Sequence, residues 1–186
     1  MRVIAGTAGG IPLHVPRSEL RPTMDMVKNA IFNVLMESVP GARVLDLFAG
    51  TGGLGIEALS RGAASCVFVE SDHHACESIR KNLQKTRVAG GEVAAVDVFS
   101  WLDRLSRPGE FALIFADPPY AKKPGERDFT PELLNSESLR RALAPGGLFI
   151  LEHLPGAKLP LGKTWECLRQ KRYGATEVAI LRAAAE

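Results

Sequence analysis

Short apolar runs alternate with stretches of helical spacing through the middle of the chain. Five of the runs are predicted to be buried strands: 43–47, 65–70, 92–97, 111–116 and 148–152. The stretches between them are predicted to be helices: 52–61, 73–88, 100–105 and 131–143. Strands that alternate with helices predict an α/β fold, with a mostly parallel sheet covered by helices on both faces.

The C-terminal part of the chain changes to an alternating pattern. Residues 164–172 and 176–182 alternate apolar and polar positions around Tyr173-Gly174. This pattern predicts an antiparallel hairpin. Its two strands bring the expected sheet to seven strands.

The N-terminal part is predicted to be an extension. Two short apolar segments, 3–4 and 13–15, flank Gly9-Gly10 and predict a small β-hairpin. A helix is predicted from Thr23, a good N-cap, to about residue 38. We therefore expect residues 1–40 to pack on a core domain of residues 41–186 within one globular unit.

Composition and cysteine use narrow the class of protein. The 186 residues are 46% hydrophobic and 24% charged, an ordinary globular mixture. No apolar run approaches the roughly 18 residues that cross a bilayer, and the first residues lack the features of a signal peptide. Cys66, Cys76 and Cys167 lack metal-ligand spacing. Reduced thiols, a cytoplasmic location and no metal site are expected.

The charge distribution says more than the net charge. A net charge of only +2 creates no global field that would attract nucleic acid. Between residues 158 and 182, however, six basic residues stand against two acids. Arg169, Lys171 and Arg172 of the predicted hairpin are therefore candidate contacts for an anionic partner, although a solvated basic face is the commoner explanation of such a cluster.

The sequence Asp117-Pro118-Pro119-Tyr120 directly follows the predicted strand 111–116. Proline fixes φ and has no N–H, so the backbone here offers only carbonyl acceptors. The Asp117 carboxylate and a carbonyl can accept hydrogen bonds from an amino group, and the Tyr120 ring can stack on a flat heterocycle. These groups suit chemistry on the exocyclic amine of a nucleobase. The alternative is a tight turn capped by an acid.

A glycine-rich turn follows the first predicted strand. Gly50 and Gly52 allow a ligand close to the backbone, and the next helix offers N–H groups. Glu70 ends the second strand about 20 residues later, as a ribose-binding acid does. The alternative ribose-binding acid is Asp72, which could instead be the N-cap of the next helix. Asp46 precedes the turn, where a carboxylate is unfavourable near the pyrophosphate of NAD but suits the cationic S-adenosylmethionine.

The residues around these positions resemble a known family. Asp46 to Gly55, Glu70, Asp97 and 117–120 resemble the motif series of class I, Rossmann-like S-adenosylmethionine-dependent methyltransferases. Further segments resemble the bacterial guanine-N2 methyltransferases of 16S ribosomal RNA: 20–28, 31–33, 57–64 and 172–174. The resemblance covers nearly the whole chain. The 20–28 segment is the more specific motif, because enzymes with other substrates share the Asp-Pro-Pro-Tyr sequence.

The resemblance implies roles for individual residues. The implied cofactor-binding residues are Thr23, Asp46, Phe48, Gly50, Gly52, Glu70, Asp97 and Val98. The implied catalytic residues are Asp117 and the Pro118 carbonyl, which would hold the target amine, and Tyr120, which would stack on the base. RNA contacts are expected at Arg21, Arg169, Lys171 and Arg172, with pairing to Asp25 as the alternative for Arg21. The loop 7–12 departs from the family because it lacks the usual basic residues.

The implied function is methylation of the N2 amine of a guanine in 16S rRNA, guanine 966 in the usual rRNA numbering. The expected partner is that RNA within a partly or fully assembled small subunit, with the enzyme a monomer. Three alternatives remain open: a DNA or RNA adenine-N6 methyltransferase, a methyltransferase for a protein side-chain amide, and a non-catalytic nucleotide-binding module.

Overall fold

The computed structural model describes residues 1–15, 24–121 and 125–184. Its strands are β1 Arg43–Leu47, β2 Ser65–Glu70, β3 Gly91–Ala95, β4 Phe111–Ala116, β5 Leu143–His153, β6 Trp165–Tyr173 and β7 Thr176–Ala183. Its α-helices are α1 Met24–Leu35, α2 Gly53–Ser60, α3 His73–Thr86, α4 Val98–Asp103, α5 Phe129–Asn135 and α6 Glu137–Ala142. A short 3₁₀ turn, Met36–Ser38, continues α1.

The seven strands form one sheet in the order β3-β2-β1-β4-β5-β7-β6. The first five in this order run parallel, and β7 is antiparallel to both of its neighbours. The predicted fold class is therefore confirmed. The strand order reverses between β1 and β4, and in open α/β sheets ligands bind in the crevice at such a switch point, beyond the carboxyl ends of the strands.

Two hydrophobic cores cover the two faces of the sheet. Successive strand residues point to opposite faces, so Leu113 of β4 packs with one core and Ile114 with the other. The first core includes residues of α1, α2 and α3, and the second includes residues of α4, α5 and α6. The helices on both faces that the sequence predicted are present.

Most predicted boundaries lie within two residues of the observed ones, but two predictions differ more. The single helix predicted over 131–143 is two helices, because Ser136 adopts an extended backbone and its hydroxyl caps α6 by accepting from the Leu139 N–H. β5 begins at Leu143 rather than at residue 148, and its pairing with β4 shifts register at its start. None of the helices in the described ranges is long and apolar enough to span a membrane.

The N-terminal segment packs on α2 as a hairpin-like loop with one isolated bridge, between Arg2 and Pro12. The N-terminal segment and α2 are in close contact at Gly6, which has φ +81°. A Cβ at this position would lie 1.8 Å from the Ser60 carbonyl oxygen. The fully buried carboxylate of Glu57 accepts from the backbone N–H groups of Ile4 and Ala5, at 2.7 and 3.0 Å. A side chain of α2 thus satisfies backbone donors of the N-terminal segment.

Glu57 also joins two cations. Its carboxylate accepts from Arg61 Nε at 2.7 Å and lies 3.4 Å from Lys28 Nζ on α1. A buried carboxylate is tolerated only when it is paired and hydrogen-bonded. Glu57 therefore connects the N-terminal loop, α1 and α2 through a single group.

We expect Glu57→Ala to lower the free energy of unfolding by roughly 3–5 kcal/mol, because it removes the buried carboxylate that Lys28, Arg61 and two backbone donors share. Denaturant titration measures this difference. Glu166→Gln is the control, since it breaks an exposed ion pair with Arg182 and should cost less than about 1 kcal/mol. Equal effects of the two substitutions would contradict the role assigned to Glu57.

Candidate active site

A cavity of about 470 Å³ lies at the switch point of the sheet. The residues that end or follow β1, β2, β4 and β5 contribute to its wall, and so do the first residues of α1 and α2. The described acidic residues in its wall are Asp46, Glu70, Asp72, Asp117 and Glu152. The cavity therefore combines the features expected of a binding site: concave shape, several elements and converging polar groups.

The glycine-rich turn forms one side of this cavity. Phe48 has φ 54° and Gly50 also has φ 54°, so the backbone turns sharply away from β1. A non-glycine residue in this left-handed region is uncommon and concentrates at functional sites. Gly55 is required for packing, because a Cβ there would lie 2.3 Å from the Phe68 ring. Gly52, the N-cap of α2, is not among the residues that line the cavity.

Asp46 is a buried carboxyl group beneath the turn. Its side chain is 2% exposed and accepts from the Gly55 N–H at 2.9 Å. Burial raises the pKa of Asp46 to about 8, the Gly55 hydrogen bond opposes this rise, and the nearby carboxylates of Asp117 and Glu70 add to it. The site therefore disfavours further negative charge and favours a cation.

Glu70 connects the two loops that border the cavity. One of its carboxylate oxygens accepts from the Gly50 N–H at 2.9 Å, and the other accepts from the Asp72 N–H at 2.8 Å. Asp72 caps α3 by accepting from the Ala75 N–H at 2.8 Å. Glu70 is therefore held in place at the end of β2, while the Asp72 carboxylate already has a capping function.

Asp97 and Val98 are not among the residues that line the cavity. Asp97 is exposed and caps α4 by accepting from the Ser100 N–H at 2.9 Å, and Val98 is buried. Three neighbouring rings, Phe48, Phe99 and Phe129, define an aromatic wall, and two of them, Phe48 and Phe129, line the cavity. The Phe129 ring is 5.2 Å from that of Phe48 and 6.3 Å from that of Phe99.

The Asp117-Pro118-Pro119 segment also lines the cavity, at the end of β4. Tyr120 lies just beyond it, where its hydroxyl is 2.7 Å from the Thr176 hydroxyl. Its ring borders a second cavity of about 190 Å³. Tyr120 therefore lines the second cavity and contacts Thr176, a residue that lines the first.

The remaining predicted site residues lie apart from this arrangement. Thr23 and Arg21 lie outside the described residues. Arg169, Lys171 and Arg172 are exposed on β6, the edge strand, and the hairpin tip beyond them reaches the cavity through Ala175 and Thr176. Residues 1–15, 24–121 and 125–184 contain no group of His, Cys, Asp and Glu side chains that could hold a metal ion.

Among the described residues of the wall, sequence reasoning missed four candidates: Lys28, Phe129, Glu152 and Thr176. For two of them, the sequence contained a feature that could have identified the residue. Glu152 ends the predicted strand 148–152, the same position that identified Glu70. Lys28 shares the apolar helix face of Ile31 and Phe32, three and four residues later, so its burial could have been expected.

Comparison with known proteins gives a full-length match. The family described as Conserved hypothetical protein 95 matches residues 1–182. The ribosomal RNA small subunit methyltransferase D of Haemophilus influenzae is 35% identical over 178 residues, which are 94% of this chain and 89% of that protein. The protein of the same name from Escherichia coli K12 is 32% identical over 188 residues, 100% of this chain and 91% of the relative.

A solved structure supports the same relationship. A hypothetical protein of Thermus thermophilus superposes with a TM-score of 0.79 at 32% identity, covering 97% of this chain and 98% of that one. Sequence and fold agree over essentially the whole length. The chain belongs to the ribosomal RNA small subunit methyltransferase D family, a bacterial family of class I S-adenosylmethionine-dependent methyltransferases.

Proposed function

We propose that this protein transfers the methyl group of S-adenosylmethionine to the N2 amine of a guanine in 16S rRNA, at guanine 966 in the usual numbering. The observation that carries the proposal is the single cavity that joins the glycine turn, with Asp46 and Glu70, to Asp117-Pro118. Family membership supports rRNA as the substrate. The choice of guanine N2 rests on the resemblance in segment 20–28.

The residues of the cavity fit S-adenosylmethionine. This cofactor carries an ammonium and a sulfonium group and no phosphate, which suits a wall rich in carboxylates. Glu70 would bind the ribose hydroxyls, and the aromatic wall of Phe48, Phe99 and Phe129 would face the adenine, beside Asp97 and Val98. Asp46, Gly50 and Gly52 would surround the methionine part, with Thr23 in the segment that covers it.

Bound S-adenosylmethionine supplies an electrophilic methyl group, and the residues at the end of β4 present the nucleophile. The lone pair of a guanine amine is delocalised into the ring. Hydrogen bonds from its two N–H groups to the Asp117 carboxylate and the Pro118 carbonyl favour a pyramidal nitrogen whose lone pair faces the methyl carbon. Such alignment contributes at most roughly 7–11 kcal/mol. After transfer, the nitrogen loses one proton to Asp117 or to solvent.

The target base has to leave its stack to reach this pocket, at a cost of a few kcal/mol. Stacking on the Tyr120 ring would return roughly 1–3 kcal/mol. Arg169, Lys171 and Arg172 would bind the flanking phosphates, because their strand leads to the hairpin tip at the cavity. The absence of basic residues in loop 7–12 keeps the number of phosphate contacts low, so we place the reaction on a partly assembled small subunit.

Deletion of the gene should remove one N2-methylguanosine from 16S rRNA, as mapped by mass spectrometry of nuclease fragments. Purified protein should restore it on small subunits from the deletion strain and act poorly on deproteinised RNA, because few phosphate contacts support binding. Loss of an N6-methyladenosine instead would favour the adenine-N6 alternative. Efficient, site-specific methylation of naked RNA would exclude the subunit requirement.

Glu70→Gln should weaken binding of S-adenosylmethionine by roughly 1–3 kcal/mol, since the ribose loses a charged acceptor. Isothermal titration calorimetry measures the change. Asp72→Asn is the matched control, because asparagine still caps α3 and the affinity should stay at its original value. If instead the Asp72 variant binds weakly and the Glu70 variant normally, the ribose-binding role belongs to Asp72.

Asp117→Asn should slow methyl transfer by roughly 10²–10³-fold, the usual effect of removing one well-placed catalytic hydrogen bond. Single-turnover assays with saturating cofactor measure the rate, and calorimetry should show nearly unchanged cofactor affinity. Tyr120→Phe is the control: it keeps the ring, removes the hydroxyl that contacts Thr176, and should retain most of the rate. An Asp117 variant as fast as the original protein would rule out this assignment.

A further inference from the structure

Among the described residues that line the cavity, Lys28 has the one basic side chain, and the other ionisable side chains of this wall are acidic. Its position is unusual for a lysine, since only 3% of the side chain is exposed. It lies on the first turns of α1, directly after the segment 20–23 that begins the family's specific motif. A cation buried at a binding cavity needs an anionic partner.

The acidic side chains near Lys28 meet this need only in part. Lys28 Nζ lies 3.4 Å from Glu57 and 4.0 Å from Asp25, and it donates to the Arg2 carbonyl. Glu57, however, also binds Arg61 at 2.7 Å, and the Asp25 side chain is 37% exposed to solvent. Lys28, with 3% of its side chain exposed, therefore shares its one buried acid, Glu57, with the half-buried Arg61, and its second acid, Asp25, lies 4.0 Å away in contact with solvent.

The ligand of the proposed function has one group that such a charge would bind. S-adenosylmethionine carries an α-carboxylate in addition to its two cationic groups. The described acids of the wall repel a carboxylate, whereas an ammonium group with three donors can serve the Arg2 carbonyl, Glu57 and one further acceptor. We propose, on the basis of the proposed function, that Lys28 binds the α-carboxylate of S-adenosylmethionine.

This arrangement would make the cavity selective for an amino-acid cofactor. The glycine turn and Glu70 would bind any adenosine derivative, but the Lys28 ammonium distinguishes a ligand with a carboxylate from one without it. Lys28 would also position α1, since its other contacts hold that helix against Glu57 and the N-terminal loop. A purely structural role of Lys28 would affect all adenosine ligands alike, and this difference separates the two roles.

The test compares two ligands by calorimetry: S-adenosylmethionine and its decarboxylated form, which keeps both cationic groups. The original protein should bind S-adenosylmethionine about 10–100-fold more tightly, the effect of one charge-assisted hydrogen bond. Lys28→Met should lose that factor for S-adenosylmethionine while its affinity for the decarboxylated ligand stays near the original value. Glu57→Gln is the matched control, because it removes the ion pair, keeps Lys28 and should preserve the preference.

Other outcomes overturn the inference. Equal weakening of both ligands by Lys28→Met would show a structural role, and a preserved preference would show that another group binds the carboxylate. If Lys28→Met does not fold, the double variant Lys28→Met/Glu57→Gln, which leaves no unpaired Glu57 charge, gives the same comparison. Failure of the original protein to bind either ligand would refute the proposed function itself, and so is distinct from failure of the Lys28 assignment alone.

Discussion

The parallel pairing of β1 with β2 on one side and β4 on the other determines where the candidate active site lies. Leu47 lies opposite both Val69 and Ala116 in the sheet. The residues that follow, Phe48, Glu70 and Asp117, are therefore level with each other at one edge. Residues far apart in sequence meet there because parallel strands end together, and the glycine turn has only to fold back to close the cavity.

This arrangement has an electrostatic cost. The carboxylates of Asp117 and Glu70 lie near Asp46, whose pKa rises to about 8 mainly because the group is buried. An acid whose pKa is raised in the folded state contributes stability that is present below its ordinary pKa of 3.8 and is lost as the pH rises through about 8. A bound cation would offset this loss of stability. The ligand-free protein is therefore less stable than it could be, because the same acids give the site its affinity for a cation.

The sequence predicted the secondary-structure elements better than the contacts between them. The strands could be recognised because apolar runs of that length are buried in parallel sheets, and Glu70 and Asp117 followed from strand ends. The break at Ser136 was not predicted, because serine is compatible with both a helix interior and an N-cap. The bond between Tyr120 and Thr176 joins residues 56 positions apart, and only the antiparallel β7 brings them together.

The buried charges show the same limit of prediction from sequence. They also show why the N-terminal extension belongs to the site. The burial of Lys28 could be read from helical spacing, but its pairing with Glu57 of α2 depends on how α1 crosses the sheet. Residues of the N-terminal loop and of α1 share one core with β4, β5 and β7. Met1, Met24 and Lys28 reach the same cavity as the glycine turn. Because the core and the cavity wall both include the extension, movement of α1 would alter the shape of the cavity directly.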